Sequence, residues 1–96
     1  MKEREYILTL YEIYNKLLTE REKTYFEYYY FEDYSMQEIA DNFKVSKAYV
    51  GKYINGILNK LNKFEEALNI NYKNNRIKEI IKGSSKDIVD KIEEIL

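Results

Sequence analysis

Apolar residues recur at three- and four-residue steps along most of the chain, which is the period of amphipathic α-helices. The first such segment ends near Leu18, because Thr19 and Glu22 have the spacing of a capping box that opens a second helix. No stretch shows the strict alternation of a half-buried β-strand, so the pattern predicts an all-α protein. The apolar face of the first helix comprises Ile7, Leu10, Tyr11, Tyr14, Leu17 and Leu18.

The second helix is predicted to be strongly aromatic. Because the aromatic stripe is broad, we expect this helix to be buried on more than one side. Residues 32–34 interrupt the pattern and predict a connection. The stripe consists of Tyr25, Phe26, Tyr29 and Tyr30, widened by Tyr28 and Phe31.

Two serine residues predict the starts of the third and fourth helices. Ser35, with Glu38 three residues later, forms a second capping box, and Ser46 opens a helix whose apolar spacing continues to Leu68. This fourth helix would be 23 residues long, or about 34 Å if it is unbroken. Two glycines lie within it and each costs up to about 1 kcal/mol relative to alanine, so tertiary packing must stabilise the helix.

The last third of the chain predicts a connection and two further helices. Residues 69–75 are rich in Asn and are expected to connect the fourth helix to a fifth, which would end at Gly83. Ser84 or Ser85 is expected to cap a final helix. The apolar positions are Ile77, Ile80 and Ile81 in the fifth helix, and Ile88, Val89, Ile92, Ile95 and Leu96 in the last.

The length of the chain and its missing residue types limit the possible functions. We expect one domain over residues 1–96, made of an N-terminal helix (1–18), a helix–turn–helix core (19–68) and C-terminal helices (69–96). The chain has no His and no Cys, which excludes Ser–His or Cys–His catalysis and imidazole or thiolate metal sites. We therefore expect no enzyme activity, no cofactor and no metal. Without a secretory signal or a bilayer-spanning run, the sequence predicts a cytoplasmic protein with no membrane insertion.

Residues 36–54 have the spacing of a helix–turn–helix motif. Ala40 is a small residue at the point where two helices would cross, and Val45 lies in the turn. A plain αα-hairpin has similar spacing, but two capping boxes, a short first helix and a Ser directly after the turn favour the specific motif. The apolar contact between its helices would comprise Ile39, Ala40, Phe43, Val45, Val50 and Ile54.

Charge is distributed unevenly, although the net charge is only −1. Residues 1–41 contain 5 basic and 10 acidic residues, whereas residues 42–64 contain five Lys and no acidic residue. Residues 65–96 are nearly balanced, with 6 basic and 7 acidic residues. Positive charge thus concentrates on the turn and the predicted recognition helix. This separation is what contact with nucleic-acid phosphates requires, and an ordinary solvated helix face is the alternative that fits the charge count equally well.

The outward positions near the start of the recognition helix are expected to be Lys47, Ala48, Tyr49, Gly51 and Lys52. Lysine suits phosphate contacts and tyrosine can stack, but none of these residues makes the bidentate base contacts of Arg, Asn or Gln. We therefore expect weak sequence readout and contacts to a backbone or an RNA surface. The candidate nucleic-acid-binding residues are Lys44, Ser46, Lys47, Tyr49, Lys52, Lys60 and Lys63.

Three segments resemble a known protein family: 17–23 (LLTEREK), 28–40 (YYYFEDYSMQEIA) and 45–50 (VSKAYV). Together they are similar to the YlxM-type helix–turn–helix proteins of Gram-positive bacteria and mollicutes, whose core resembles region four of sigma factors. Lys44 stands where this motif usually has Gly, so the turn is expected to hold a non-Gly residue at positive φ or to be rearranged. Gly51 is expected to thin the surface available for base contact.

The resemblance implies an accessory role in the signal recognition particle pathway, with the particle's RNA or its GTPase as the partner. It also implies that Ser46, Lys47, Tyr49 and Lys52 are recognition-helix positions. One alternative is a transcription regulator that binds duplex DNA. Another is a protein–protein adaptor that docks through the aromatic helix and the C-terminal helices. The apolar face of the last helix fits either packing onto its own core or a homodimer.

Overall fold

The computed structural model describes residues 2–82 and 85–96, which form six α-helices and one 3₁₀ turn. No strand occurs in these two ranges, and the all-α prediction is confirmed. None of the described helices is both long and apolar enough to span a membrane. The helices are α1 (Lys2–Tyr14), α2 (Glu20–Tyr30), α3 (Met36–Phe43), α4 (Lys47–Leu68), α5 (Ile70–Ile81) and α6 (Lys86–Ile95), with the 3₁₀ turn at Asn15–Leu17.

The hydrophobic core lies between α1, α2, α3 and α4, which we call the four-helix core. Tyr11 stacks on Phe26 with ring centroids 4.0 Å apart, and Tyr25 stacks on Phe43 at 4.6 Å. The burial predicted for α2 is confirmed for Tyr25 and Phe26, while Tyr28, Tyr29 and Tyr30 are half-buried against the core. The buried side chains are Leu10, Tyr11, Tyr14, Leu18, Tyr25, Phe26, Ile39, Ala40, Val50, Ile54, Ile57 and Leu61.

Side-chain caps begin α2 and α3 where the sequence predicts them. The Glu22 amide donates to Thr19 Oγ1 at 3.1 Å, and the Thr19 amide donates to the Glu22 carboxylate at 2.9 Å. Ser35 and Glu38 exchange the same pair of hydrogen bonds, each at 3.0 Å. Both capping boxes are confirmed, and each pairs amide groups that a helix start would otherwise leave without partners.

In the first two predicted helices, two residues that the periodicity placed on buried faces are exposed. α1 ends at Tyr14, and the tighter 3₁₀ turn rotates Leu17 away from the apolar face, leaving it 54% exposed. Phe31 lies just after the last residue of α2 and is 55% exposed, although its ring contacts Tyr11 and Phe26 edge-on. Both predictions were wrong because a periodic pattern assumes that the helix continues.

The connection predicted over residues 69–75 is also wrong, because α5 begins at Ile70 and only Asn69 separates it from α4. Asn69 turns the chain with φ 53° and ψ 31°, in the left-handed region that Asn tolerates better than most residues. Its side chain does not cap α5. The caps come instead from Glu65, near the end of α4, and from the distant Tyr14 of α1.

A buried polar network supplies those caps. The Glu65 carboxylate accepts hydrogen bonds from the Asn71 and Tyr72 amides, both at 3.1 Å, and from the Tyr14 hydroxyl at 2.5 Å. The Ile70 amide donates to the same Tyr14 oxygen at 3.2 Å. Burial, and then the bond to Glu65, raises the pKa of Tyr14 to about 12, so the hydroxyl keeps its proton at neutral pH. The network ties α1, α4 and α5 together.

Helices α5 and α6, the C-terminal helix pair, contain no buried residue. α5 packs on α1, and α6 packs on α5. Ser85 caps α6, since its hydroxyl accepts from the Ile88 amide at 3.4 Å. Gly83 and Ser84, the predicted terminator and the alternative cap, lie outside the described residues. The division of the chain at residues 19 and 69 stays a prediction.

The apolar faces predicted for this helix pair are only partly covered. On α6, Val89 and Ile92 are half-buried, whereas Ile88 is 52% and Ile95 is 84% exposed. On α5, Ile80 is 69% exposed. Leu68, predicted to lie on the apolar face of α4, is 44% exposed because it precedes the turn at Asn69. The pair therefore presents apolar surface to solvent.

Candidate nucleic-acid interface

The helix–turn–helix consists of α3, a three-residue turn and α4. Ala40 and Val50 are fully buried where the two helices pack together. At the end of α3 the Val45 amide donates to the Ala40 carbonyl at 3.0 Å, a bond typical of a helix that ends in a left-handed residue. That residue is Lys44, at φ 57° and ψ 46°, so the expected positive φ is confirmed.

The first turn of α4 is positive. Ser46 caps the helix, because its Oγ accepts from the Tyr49 amide at 3.0 Å. The next residue is Lys47, and no acidic residue lies in this turn, whereas α1, α2, α3 and α6 each have at least one there. A cation at a helix N-terminus opposes the helix dipole. Lys47 thus costs the helix some stability and adds to an electrostatic field that attracts anions.

Several candidate residues lie together at this end of the molecule. Lys44, Ser46, Lys47, Tyr49 and Lys52 are all exposed on the turn and the first half of α4. Tyr49 is 40% exposed. These side chains form a compact surface that can contact a phosphate backbone, and we call it the basic surface.

Gly51 does not belong to the basic surface, although the sequence placed it among the outward positions. It is half-buried, and a Cβ at this position would lie 3.6 Å from Met36 Sδ of α3. The position therefore faces the crossing of the two helices. The correction removes the expected gap in the outward surface.

Lys60 differs from the other candidates because it is already paired. Its Nζ lies 2.6 Å from Glu22 Oε2, which links α4 to the start of α2. Burial alone would raise the pKa of Glu22, but the bond to Lys60 and the hydrogen bonds with Thr19 outweigh it and lower that pKa. Glu22 therefore stays charged and neutralises Lys60, which makes Lys60 a poor phosphate ligand.

Lys63 is exposed but lies in a different part of the molecule. It lines an open cleft of about 770 Å³ between α1, α4 and α5, together with Glu66 and five asparagines. Lys63 is 11 residues beyond Lys52, or about 16 Å along the helix. The seven candidates thus divide into five on the basic surface, one in an ion pair and one in the asparagine-lined cleft.

The exposed face of α3 does not continue the positive charge. Gln37, Glu38 and Asp41 are exposed there, and Gln37 donates to Asp41 at 2.8 Å. In many DNA-bound helix–turn–helix proteins the first helix of the motif crosses the phosphate backbone. An acidic face on this helix repels phosphates, so the positive contact area is limited to the turn and α4.

Two polar residues at the interface were missed by the sequence reasoning. Arg21 of α2 is exposed, and its guanidinium lies 5.9 Å from the ring centroid of Tyr53 on α4. In the sequence Arg21 belongs to the acidic segment 1–41, and only the fold brings it beside the recognition helix. Asn55 is exposed on the outward face of α4, three residues after Lys52, whereas Asn59 at the next helical step lines the asparagine-lined cleft. The spacing between Lys52 and Asn55 would have allowed Asn55 to be predicted from the sequence.

Comparison with known proteins places the chain among relatives that share this motif. The model of the family described as "Putative helix-turn-helix protein, YlxM / p13 like" matches residues 1–95. The chain belongs to this family. The YlxM-type resemblance, including the helix–turn–helix motif, is confirmed.

The relatives of this YlxM/p13-like chain match it over most of its length. A UPF0122 protein of Ureaplasma urealyticum serovar 10 is 38% identical over 93 residues, which cover 94% of this chain and 92% of the relative. The UPF0122 protein YofM of Lactococcus lactis subsp. lactis is 38% identical over 93 residues, which cover 91% of this chain and 84% of the relative. A UPF0122 protein of Listeria innocua serovar 6a is 41% identical over 59 residues, which cover 62% of this chain and 54% of the relative. These names state no ligand or partner.

Proposed function

We propose that this YlxM/p13-like protein binds structured RNA through the basic surface, as a non-enzymatic accessory protein of the signal recognition particle pathway. One observation carries the proposal: the exposed cations Lys44, Lys47 and Lys52 lie on the turn and the first half of α4, within residues 42–64, a segment that contains no acidic residue. Phosphate contacts from such lysines supply most of the affinity of non-specific nucleic-acid binding. The choice of pathway comes from the family resemblance.

The side chains of the basic surface favour RNA over readout of a DNA sequence. Lys47 and Lys52 can contact phosphates, and Tyr49 can stack on a base. The start of the recognition helix has no Arg, Asn or Gln to make a bidentate hydrogen bond to a base edge. The acidic face of α3 also opposes the usual backbone contact of a DNA-bound motif. Recognition of RNA depends less on base edges in a groove than on the shape of the RNA, its phosphates and its unstacked bases.

The experiment compares two double variants by fluorescence anisotropy, with signal recognition particle RNA and with a random-sequence DNA duplex. Lys47→Ala/Lys52→Ala removes two cations of the basic surface. Lys86→Ala/Lys91→Ala removes two exposed cations with the same spacing at the start of α6. At about 0.1 M salt we expect the first variant to bind roughly 25- to 60-fold more weakly, from the salt dependence of two lost phosphate contacts. The second should bind like wild type.

Three results would count against the proposal. If neither polymer binds at low salt, the protein does not act through phosphate contacts. If both variants lose affinity equally, net charge rather than the basic surface carries the binding. A strong preference for one particular duplex over random sequence would instead support a transcription regulator that binds two half-sites as a dimer.

A second candidate function is self-association through the C-terminal helix pair. We propose that a second copy of the chain covers its exposed isoleucines, because the two helices carry opposite charge. Residues 70–82 contain four basic residues and one acidic residue, whereas residues 85–96 contain two basic and four acidic residues. Across the described ranges no ion pair joins α5 to α6. Two-fold pairing that places α6 of one copy beside α5 of the other would match these charges.

Sedimentation at two protein concentrations tests this second candidate. We expect wild type to shift toward a dimer as the concentration rises, and Ile88→Asp/Ile95→Asp to stay monomeric. Leu17→Asp is the control, since Leu17 is also exposed but lies outside the helix pair. A wild-type monomer at both concentrations would reject self-association and leave the surface to a different protein.

A further inference from the structure

Aromatic rings form a continuous ladder from the core to the basic surface. Phe43 stacks on Tyr25 with centroids 4.6 Å apart, Tyr25 contacts Tyr53 at 4.5 Å, and Tyr53 stacks on Tyr49 at 5.8 Å. Tyr25 is fully buried, whereas Tyr49, the last ring, is 40% exposed. The ladder therefore ends in solvent with a ring that is backed by other rings.

A groove of about 290 Å³ opens beside the end of this ladder, between α2 and α4. Tyr49 and Tyr53 form its aromatic wall, and Lys52, Gly56, Lys60 and Glu22 complete it. At Gly56 no atom lies within 4 Å of the place a Cβ would occupy, so the glycine adds to the open space. The groove has room for a planar ring of the size of a nucleobase.

Charge within the groove also points to a neutral ring. Lys60 and Glu22 neutralise one another across a 2.6 Å ion pair, so the far side carries little net charge. The unpaired cations lie at the edges: Lys52 is exposed on α4, and the Arg21 guanidinium lies 5.9 Å from the centroid of Tyr53. The interior of the groove is neutral and aromatic, and cations lie at its edges. This arrangement suits a planar ring that is flanked by phosphates.

We propose that this groove holds one unpaired nucleobase of an RNA, stacked on Tyr49, with the flanking phosphates at Lys52 and Arg21. This inference rests on the proposed RNA binding and narrows it to RNAs that present a bulged or looped-out base. Proteins recognise such bases by stacking them on aromatic side chains and on the planar guanidinium groups of Arg. Continuous duplexes keep their bases stacked inside the helix and do not offer a face to Tyr49.

The test uses two RNA hairpins that differ by a single unpaired adenosine. We expect wild type to bind the bulged hairpin about 5- to 150-fold more tightly, the range that one base–aromatic stack supplies. A fluorescent adenine analogue at the bulge should be quenched on binding. Tyr49→Phe should keep the preference and the quenching because its ring remains, whereas Tyr49→Ala should lose both.

Two further variants separate a local effect from a general one. Gly56→Leu fills the groove without changing any charge, and it should also lose the preference. Tyr72→Ala removes a 61% exposed tyrosine on α5 and should leave both affinities and the quenching unchanged. Circular dichroism of each variant checks that the helices are intact.

The outcomes of this test are distinct from those of the proposed function. If neither hairpin binds, RNA binding itself is wrong. If both bind equally and the analogue is not quenched, RNA binding stands and the nucleobase site is overturned. Equal binding of the hairpins together with capture of an aromatic peptide in the groove would likewise overturn it, in favour of a protein ligand.

Discussion

The four-helix core and the C-terminal helix pair are stabilised in different ways. In the core, α2, α3 and α4 have side-chain caps, and all four helices bury apolar residues against one another. In the pair, α5 and α6 bury none, and their large isoleucines lie partly in solvent. The link between the two regions is polar: Glu65 and Tyr14 cap the start of α5 from within the core. The core thus combines caps with buried apolar contacts, whereas the pair relies on this network, on the packing of α5 against α1 and on partly covered isoleucines.

Two isoleucines test this difference with the same substitution. Ile54 is 1% exposed in the core, and Ile80 is 69% exposed on α5. We expect Ile54→Ala to lower the free energy of unfolding by about 2–5 kcal/mol, through lost burial and a cavity. Ile80→Ala should change it by about 0.5 kcal/mol or less. Urea denaturation measures both, and similar losses would show that the pair is part of the core.

Two tyrosines of α1 test the polar link. Both donate their hydroxyl to a carboxylate, Tyr14 to buried Glu65 and Tyr11 to exposed Glu27. Tyr14→Phe removes a hydrogen bond to a buried charge and leaves the Ile70 amide without its partner, so we expect a loss of about 1.5–3 kcal/mol. Tyr11→Phe should lose less, because water can replace its hydroxyl at Glu27.

Amide hydrogen exchange locates the effect of Tyr14→Phe. The amides of α5 should exchange faster in this variant, while those of α2 and α3 keep their protection. Uniform acceleration across all helices would contradict the view that this network fastens only the C-terminal helix pair.

The ion pair between Glu22 and Lys60 stabilises the core in a pH-dependent way. Glu22→Gln keeps a capping-box residue but removes the charge, so it should cost about 1 kcal/mol at neutral pH. The folded-state pKa of Glu22 is lower than its ordinary value of 4.5. The wild-type advantage is therefore complete above about pH 4.5 and is lost as the pH falls through the lowered pKa. Parallel unfolding curves at several pH values check this, and an advantage that persists in acid would contradict it.

Lys47 allows stability and binding to be separated. Lys47→Glu places an anion in the first turn of α4, where the helix dipole favours it, and should stabilise the protein by about 0.3–1 kcal/mol. The same change should weaken RNA binding more than Lys47→Ala does. Thermal unfolding and anisotropy measure the two effects. A variant that is destabilised would show that Lys47 has a structural role in the fold.

Most of the four-helix core could be predicted from the sequence, because its signals are local. The two capping boxes and Ser46 mark helix starts within four residues, and the apolar spacing of α4 identifies Val50 and Ile54 as buried. Leu17 and residues 69–75 were predicted wrongly for one reason. The spacing of apolar residues does not show where a helix ends or begins: α1 gives way to a 3₁₀ turn before Leu17, and α5 begins directly after Asn69 because Glu65 and the distant Tyr14 cap it.

The candidate interface could be predicted only in part. The cluster of lysines follows from charge counts along the chain, and Lys44, Lys47 and Lys52 are all exposed on the turn and the first half of α4. The pairing of Lys60 with Glu22, the approach of Arg21 and the inward position of Gly51 each depend on how two helices are placed in space. Charge counts in a linear segment cannot distinguish a free lysine from a paired one.

The salt dependence of RNA binding tests the central claim most directly. If the three lysines of the basic surface, Lys44, Lys47 and Lys52, contact phosphates, the slope of log K against log salt should be about −2.1 for single-stranded RNA and about −2.7 for a duplex. Lys52→Ala should reduce that slope by about 0.7–0.9, whereas Lys60→Ala should leave it unchanged because Glu22 already neutralises Lys60. A slope near zero, or an equal reduction by both variants, would contradict an interface made by the basic surface.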